Sequence, residues 1–82
     1  MRYNILYFAS LRDGAGRDSE EVESVHANAR LLYDELRQRH GFTVRQQALR
    51  LAVNGAFAPW DHVLADGDEV VIGSNVLSFE IR

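Results

Sequence analysis

Few residues of this chain are of the types that carry out covalent or redox chemistry. None of the 82 residues is a cysteine, which excludes disulfides, thiolate nucleophiles and Cys-ligated zinc or iron–sulfur sites. All nine basic residues are arginines, so there is neither a Schiff-base lysine nor the lysine of a phosphate-binding loop. Histidine, serine and the carboxylates remain as candidates for chemistry.

These remaining candidates are not arranged for catalysis or metal binding. His26, His40 and His62 lack metal-ligand spacing and fall on different predicted elements. Ser10 has no histidine and acid placed to activate it as a nucleophile. We therefore predict a chain with no catalytic residues, metal or cofactor of its own.

Length, charge and hydropathy indicate one small globular domain, residues 1–82. With 46% apolar and 26% charged residues, the composition is that of an ordinary folded protein. The net charge is −3 and the arginines are not clustered, whereas nucleic-acid binding needs clustered cations to neutralise phosphates. The longest apolar run, residues 5–9, is too short to span a bilayer. We predict a cytoplasmic protein with neither nucleic acid nor membrane as partner.

The first third of the chain predicts two strands joined by a loop. Residues 3–8 are almost continuously apolar and aromatic, which predicts a central strand covered on both faces. Residues 12–18 are polar with two glycines and predict a flexible loop, and residues 21–25 predict a weaker outer strand. We expect the neighbouring glutamates to form a solvated edge that discourages strand addition: Glu20, Glu21 and Glu23.

One amphipathic helix is predicted from Asn28 to about His40. The Asn28 side chain can accept from the amides of the first turn. Gly41 is the expected left-handed terminator, and Phe42 can fold back on the last turn. The apolar positions that share one face, and should pack on a sheet, are Ala29, Leu32, Tyr33 and Leu36.

The second half predicts three further strands. Asn54-Gly55 follows the strand 50–53 and is a strong hairpin signal, because both positions accept positive φ. Residues 56–58 return as an edge strand that ends before proline, and residues 69–72 form an apolar final strand. Five strands and a single helix in this length predict an α+β fold, the ubiquitin-like β-grasp: a mixed sheet with one main helix across one face.

Four segments carry a family resemblance. They are YFASLR at 7–12, LYDEL at 32–36, LAVNG at 51–55 and LADGDEV at 64–70. In this order and spacing the chain, over residues 3–72, resembles the small subunit of molybdopterin synthase. That family is related to the sulfur carrier of thiamine synthesis and to ubiquitin.

The resemblance implies a non-catalytic carrier subunit. In the family, an E1-like adenylating enzyme activates the C-terminal carboxylate, which becomes a thiocarboxylate. The sulfur then goes to a pterin precursor in the large subunit, which supplies the catalytic residues. The resemblance also implies that Phe8 and Arg12 lie near the surfaces that dock on these two partners. The plain alternatives are that Phe8 belongs to the core and that Arg12 is solvated.

Trp60 has two interpretations of its own. It is either an aromatic anchor for a partner or a cover over the open end of the core.

Residues 73–82, GSNVLSFEIR, form an atypical C-terminal tail. Family members end in Gly-Gly, because only glycine passes through narrow enzyme channels without side chains. This segment contains no such pair, which argues against thiocarboxylate chemistry. Full burial of its four apolar side chains is worth roughly 6–12 kcal/mol before ordering costs.

We hypothesise that the tail docks by strand addition, either on a sheet edge of a second copy or on a partner. The alternative is an altered terminus with no function. The predicted tail contacts are Val76, Leu77, Phe79, Ile81 and Arg82.

The sequence thus predicts a sulfur carrier of the molybdopterin synthase small-subunit type, acting in molybdenum cofactor synthesis. The alternative is a non-carrier β-grasp module that binds or regulates a partner through its sheet and tail.

Overall fold

Five strands form one mixed sheet in the structure, a computed structural model that describes residues 1–8 and 10–74. The strands are β1 (Arg2–Tyr7), β2 (Ser19–Glu23), β3 (Leu49–Val53), β4 (Ala56–Ala58) and β5 (Glu69–Ser74). The helices are α1 (Ser10–Ala15) and α2 (Ala29–His40), and Gln46–Ala48 form a 3₁₀ turn. The sheet order is β2-β1-β5-β3-β4, with β5 parallel to β1 and antiparallel to β3. The final strand therefore lies inside the sheet, between β1 and β3.

Helix α2 has the predicted ends and the predicted buried face. The Asn28 side chain accepts from the amides of Arg30 and Leu31, at 2.9 and 3.3 Å. Gly41 has φ 72°, and its amide donates to the carbonyl of Arg37 at 2.8 Å. All four residues predicted to face the sheet are buried: Ala29, Leu32, Tyr33 and Leu36.

The core lies between α2 and one face of the sheet. Along β1, Tyr3, Ile5 and Tyr7 are buried in this core, whereas Asn4 is exposed and Leu6 is half-buried on the other side. The prediction of a central strand is confirmed, since β1 lies between β2 and β5, but the prediction that both faces are covered is wrong at Asn4. We call the face of the sheet away from α2 the open face.

The prediction of a loop over residues 12–18 is also wrong, because helix α1 includes residues 12–15. Leu11 anchors this helix with a fully buried side chain. A Cβ on Gly14 would lie 3.0 Å from ring atoms of Phe42, so Gly14 permits close packing rather than flexibility. Gly16, at φ 72°, ends the helix and donates its amide to the carbonyl of Arg12.

The outer strand lies two residues earlier than predicted. Val22 pairs with the buried Tyr3 and joins the core, and the ladder ends where Glu23 pairs with Arg2. Val25, expected inside this strand, is 89% exposed beyond it. Beyond that pair, the backbones of Met1 and Ser24 still exchange two hydrogen bonds of 2.8 Å, and Val25 lies outside this pairing.

The hairpin is confirmed. Asn54 and Gly55 have φ of 52° and 88°, and β4 returns antiparallel to β3 for three residues before Pro59. The neighbouring strands extend slightly beyond their predicted ends, with β3 beginning at Leu49 and β5 reaching Ser74.

Candidate partner-docking surface

The end of β5 lies beside the end of β1. Tyr7 pairs with Ile72 in the parallel ladder, and the amide of Phe8 donates to the carbonyl of Ile72 at 3.0 Å. The last residue of β5, Ser74, pairs with Leu49 of β3. Strand β5 therefore ends on the side of the sheet where Phe8 lies.

Phe8 and Arg12 share a cleft of about 270 Å³ at this end. Phe8 is 37% exposed and is not part of the core cluster. The alternative interpretation, that Phe8 is a core residue, is therefore wrong. Arg12 Nε lies 3.7 Å from Asp18 Oδ1, and both side chains are exposed. Because an exposed ion pair of this kind stabilises little, Arg12 can exchange Asp18 for the carboxylate of a partner at small cost.

Four apolar residues form a row across the open face. The ladder registers place Leu6 beside Val71, Val71 beside Ala52, and Ala52 beside Phe57. Ala52 is fully buried and Val71 is 6% exposed, whereas Phe57 is 51% exposed. We call Leu6, Val71, Ala52 and Phe57 the apolar row. Sequence reasoning missed it, although strand alternation in the run Val70-Val71-Ile72 places its middle residue on this side.

Trp60 lies away from Phe8, on the far side of β5 and β3. It is half-buried, with its ring 5.6 Å from that of Tyr33. It also lines a second cleft, of about 370 Å³, along β3 and β4. Trp60 thus contacts both the core and an open cleft, but the structure does not bring it together with Phe8 and Arg12.

The guanidinium of Arg50 gives this second cleft a charged border. It lies 4.5 Å from the ring centroid of Phe57, within the range of a cation–π contact. The open face thus combines apolar side chains with an arginine near each end. The other predicted contact residues, in the tail, lie outside the described residues: Val76, Leu77, Phe79, Ile81 and Arg82.

A separate polar cluster joins β1, β2 and α2. The hydroxyl of Tyr7 donates to Glu20 Oε2, and His40 Nε2 lies 2.5 Å from the same oxygen. The Glu20 side chain is 9% exposed, so its predicted place in a solvated edge is wrong. Burial alone would raise the pKa of Glu20, but the hydrogen bonds from Tyr7 and His40 and the nearby charges of His40 and Arg17 lower it. Burial and the bond to Glu20 raise the pKa of Tyr7.

One protein family matches a stretch of this chain that includes most of the core and the candidate docking residues Phe8 and Arg12. Residues 5–72 match the sequence model of the ThiS family. The chain belongs to the ThiS family. This confirms the resemblance stated from the four sequence segments, and the ubiquitin-like β-grasp fold with it.

Two relatives with more than 30% sequence identity show which members of the ThiS family this chain is similar to. It is 33% identical over 73 residues to the molybdopterin synthase sulfur carrier subunit of Mycobacterium tuberculosis, covering 85% of this chain and 88% of that protein. Its fold superposes with a TM-score of 0.77 on molybdopterin converting factor subunit 1 of Pyrococcus furiosus. The two chains are 31% identical, and the match covers 93% of this chain and 99% of the other.

A second solved structure of the same fold is a complex of subunits 1 and 2 of the molybdopterin-converting factor from Helicobacter pylori. The TM-score is 0.67 at 15% identity, covering 96% of this chain and 100% of the other. At that identity the likeness shows the fold alone.

The described part of this ThiS-family chain holds no cluster suited to a metal. Within residues 1–8 and 10–74, no three or more histidine and acidic side chains are grouped to hold an ion. In the same ranges, neither helix has the length and apolar character needed to cross a membrane.

Proposed function

We propose that this chain is the small, carrier-type subunit of a molybdopterin synthase and docks on the large subunit through its open face and the cleft of Phe8 and Arg12. The observation that carries the proposal is the match to the sulfur-carrier family over residues 5–72. That range contains the apolar row and both cleft residues. Two named relatives support it, the M. tuberculosis carrier subunit and molybdopterin converting factor subunit 1 of P. furiosus.

The geometry suits a subunit that presents its chain end to another protein. Ladders on both sides hold β5, so the residue after Ser74 starts from a defined point on the sheet. Phe8 supplies an aromatic contact at that point, and Arg12 supplies a cation able to pair with a carboxylate. Docking at the cleft would direct the tail into the partner.

The chemistry proposed for the chain end needs two partners. In an E1-like enzyme, a carboxylate oxygen attacks the α-phosphate of ATP, pyrophosphate leaves and an acyl adenylate forms. A hydrosulfide ion then attacks the acyl carbon, displaces AMP and, after loss of its proton, leaves a thiocarboxylate. This chain contributes the carboxylate and the docking surface, and the large subunit contributes the catalytic residues.

One sequence observation favours a second candidate function. Residues 73–82 contain no Gly-Gly pair and carry bulky side chains instead, such as Phe79 and Ile81. A narrow channel that accepts glycines would reject them. The second candidate is a non-carrier module that binds or regulates the same kind of partner without taking up sulfur.

Intact-mass spectrometry separates the two functions. The chain is incubated with an E1-like enzyme, ATP and a sulfur donor, with an ATP-free reaction as control. A carrier gains the mass of one sulfur in exchange for one oxygen, only when ATP is present. An unchanged mass together with stable binding to the large subunit would leave the module as the function.

Binding to the large subunit tests the docking surface directly. We expect Phe8→Ala to weaken the affinity about tenfold or more, because a few buried aromatic side chains carry most of the binding free energy of a protein interface. Arg12→Ala should weaken it less. The matched control is Asp34→Ala, an exposed position on α2, away from the open face. Titration calorimetry measures all three, and an unchanged affinity for Phe8→Ala would place the interface elsewhere.

A further inference from the structure

Val71 and Ala52 are buried on the side of the sheet over which no described helix or strand packs. Val71 is 6% exposed and Ala52 is fully buried, and they form a cluster of their own with Leu6. Both described helices send their buried residues to the other cluster, as Leu11 and Leu36 show. A side chain on the bare side of a single sheet meets water above it, so burial this complete calls for a covering group.

The chain that follows β5 is long enough to supply this cover. Eight residues come after Ser74, and β5 itself carries Val71 three positions earlier. Eight extended residues reach at most about 26–29 Å. Four adjacent strands span only about 14 Å between the first and the last. A reversal directly after Ser74, where Asn75 is a residue that favours turns, would bring the tail back over the apolar row.

The tail sequence has the pattern of a strand with one apolar side. At period two, Leu77, Phe79 and Ile81 fall on one side. The residues between and after them, Ser78, Glu80 and Arg82, fall on the other. A segment of this kind can contact an apolar surface on one side and water on the other.

The sheet edges are poor alternatives for strand addition. Along β2, the exposed Glu21 and Glu23 flank Arg2 in ion pairs at 3.3 and 3.4 Å. At the other edge, β4 has three residues and stops at Pro59, which has no amide to donate. Short and charged edges are the usual means by which sheets prevent pairing with another strand.

We infer that residues 75–82 of the same chain lie over the apolar row of the open face, with Leu77, Phe79 and Ile81 against Val71 and its neighbours. The open face is then a docking surface whose resident occupant is the tail, and a protein partner that uses this face must displace it. This inference does not rest on the proposed function, since it concerns contacts within the free chain.

Methyl NMR on the full-length chain tests the inference. In a sample with labelled methyl groups, we expect nuclear Overhauser contacts between the Val71 methyls and the Phe79 ring. A mixture of labelled and unlabelled chains distinguishes contacts within one chain from contacts between copies. Contacts within one chain support the inference. Contacts only between copies would establish a tail-swapped dimer and overturn it, and so would the absence of contacts.

Two substitutions next to each other in the tail provide a matched pair. Phe79→Ala should shift the methyl resonances of Val71 and Leu6, whereas Glu80→Ala, on the opposite side, should leave them in place. The methyls of Leu36, in the core between α2 and the sheet, serve as the control for an unchanged fold. If Phe79→Ala leaves the Val71 resonances unmoved, or if both variants shift them equally, the inference is wrong.

Discussion

Glu20 connects three elements through one carboxylate. It accepts from Tyr7 in β1, lies against His40 at the end of α2, and belongs to β2 itself. Arg17 approaches its other oxygen at 3.9 Å. These groups favour the ionised carboxylate in the folded chain, which makes its contribution to stability dependent on pH.

The pKa of Glu20 is lowered in the folded state, so its contribution is fully present above the ordinary value of 4.5 and is lost as the pH falls through the folded value. We expect Glu20→Gln to reduce the free energy of unfolding by about 1–3 kcal/mol at neutral pH, as charged hydrogen bonds do. Urea unfolding across the acidic range measures this difference. It should shrink as the solution becomes more acidic, and a constant difference would contradict the ionic role.

Tyr7 should make stability depend on pH in the opposite direction to Glu20, and at alkaline rather than acidic pH. Because its pKa is raised in the folded state, its contribution is fully present below the ordinary tyrosine value of 10.0 and is lost as the pH rises above it. Tyr7→Phe should therefore flatten the decline in stability that we expect for the parent chain at alkaline pH. The readout is the urea midpoint from neutral to alkaline pH, with Tyr33→Phe as a comparison at another buried phenol.

Asn54 combines an unusual backbone conformation with two side-chain hydrogen bonds. Its amide nitrogen donates to Asp68 and its oxygen accepts from the Glu69 amide, each at 2.9 Å. Asn54→Gly removes these bonds but accepts φ 52°, so we expect a loss of about 1 kcal/mol. Asn54→Ala also strains the backbone and should cost about 1 kcal/mol more. Equal losses in thermal unfolding would show that the turn does not need positive φ here.

At the scale of elements, α2 depends on its first residues for a defined start. The Asn28 side chain satisfies two amides that no carbonyl within the helix can reach. Asn28→Ala should lower the free energy of unfolding by about 1 kcal/mol, and Asn28→Ser should retain most of it, because a serine oxygen also caps. Urea unfolding followed by circular dichroism makes the comparison, and equal losses would argue against capping.

The short helix α1 shows how two glycines in one segment can serve different purposes. Gly14 lies against the Phe42 ring, where a Cβ would come too close, and Gly16 ends the helix at positive φ. Because Leu11 is buried, α1 closes one end of the core. This element also carries Arg12 to the cleft of Phe8, so it links the core with the docking surface.

At the scale of the molecule, stability depends on one main core beneath α2. Leu36 is fully buried there, whereas Leu31 on the same helix is 47% exposed. We expect Leu36→Ala to lower the free energy of unfolding by about 2–5 kcal/mol. Leu31→Ala, the matched control, should change it by less than about 0.5 kcal/mol. Denaturant titration of both variants tests this, and a large effect at Leu31 would mean that another surface covers it.

The two faces of the sheet differ: one is packed in the core, and the other is the face that we propose for partner docking. One face packs on α2, and the other carries the apolar row with a cleft at each side. Central placement of β5 connects the two faces, because Val70 and Ile72 enter the core while Val71 belongs to the row. In our proposal, a partner can therefore replace the tail on the open face without disturbing the core.

The sequence by itself determined the elements that depend on neighbouring residues. Hydrophobic spacing and a cap at each end defined α2, and Asn54-Gly55 defined the hairpin, because these signals act within a few positions. The order of elements and the four motifs indicated the β-grasp and the family. At the candidate site, the prediction identified Phe8 and Arg12 through that resemblance, and the structure places both in one cleft.

Only the tertiary structure revealed the features that depend on residues far apart in the sequence, namely the burial of Glu20 and the apolar row. Glu20 resembles its exposed neighbours in sequence, and its burial follows from the register that sets β2 against β1 and His40. The apolar row exists because three separate ladders align Leu6, Val71 and Ala52 with Phe57. No local pattern contains that alignment, since strand register is fixed by the packing of the whole sheet.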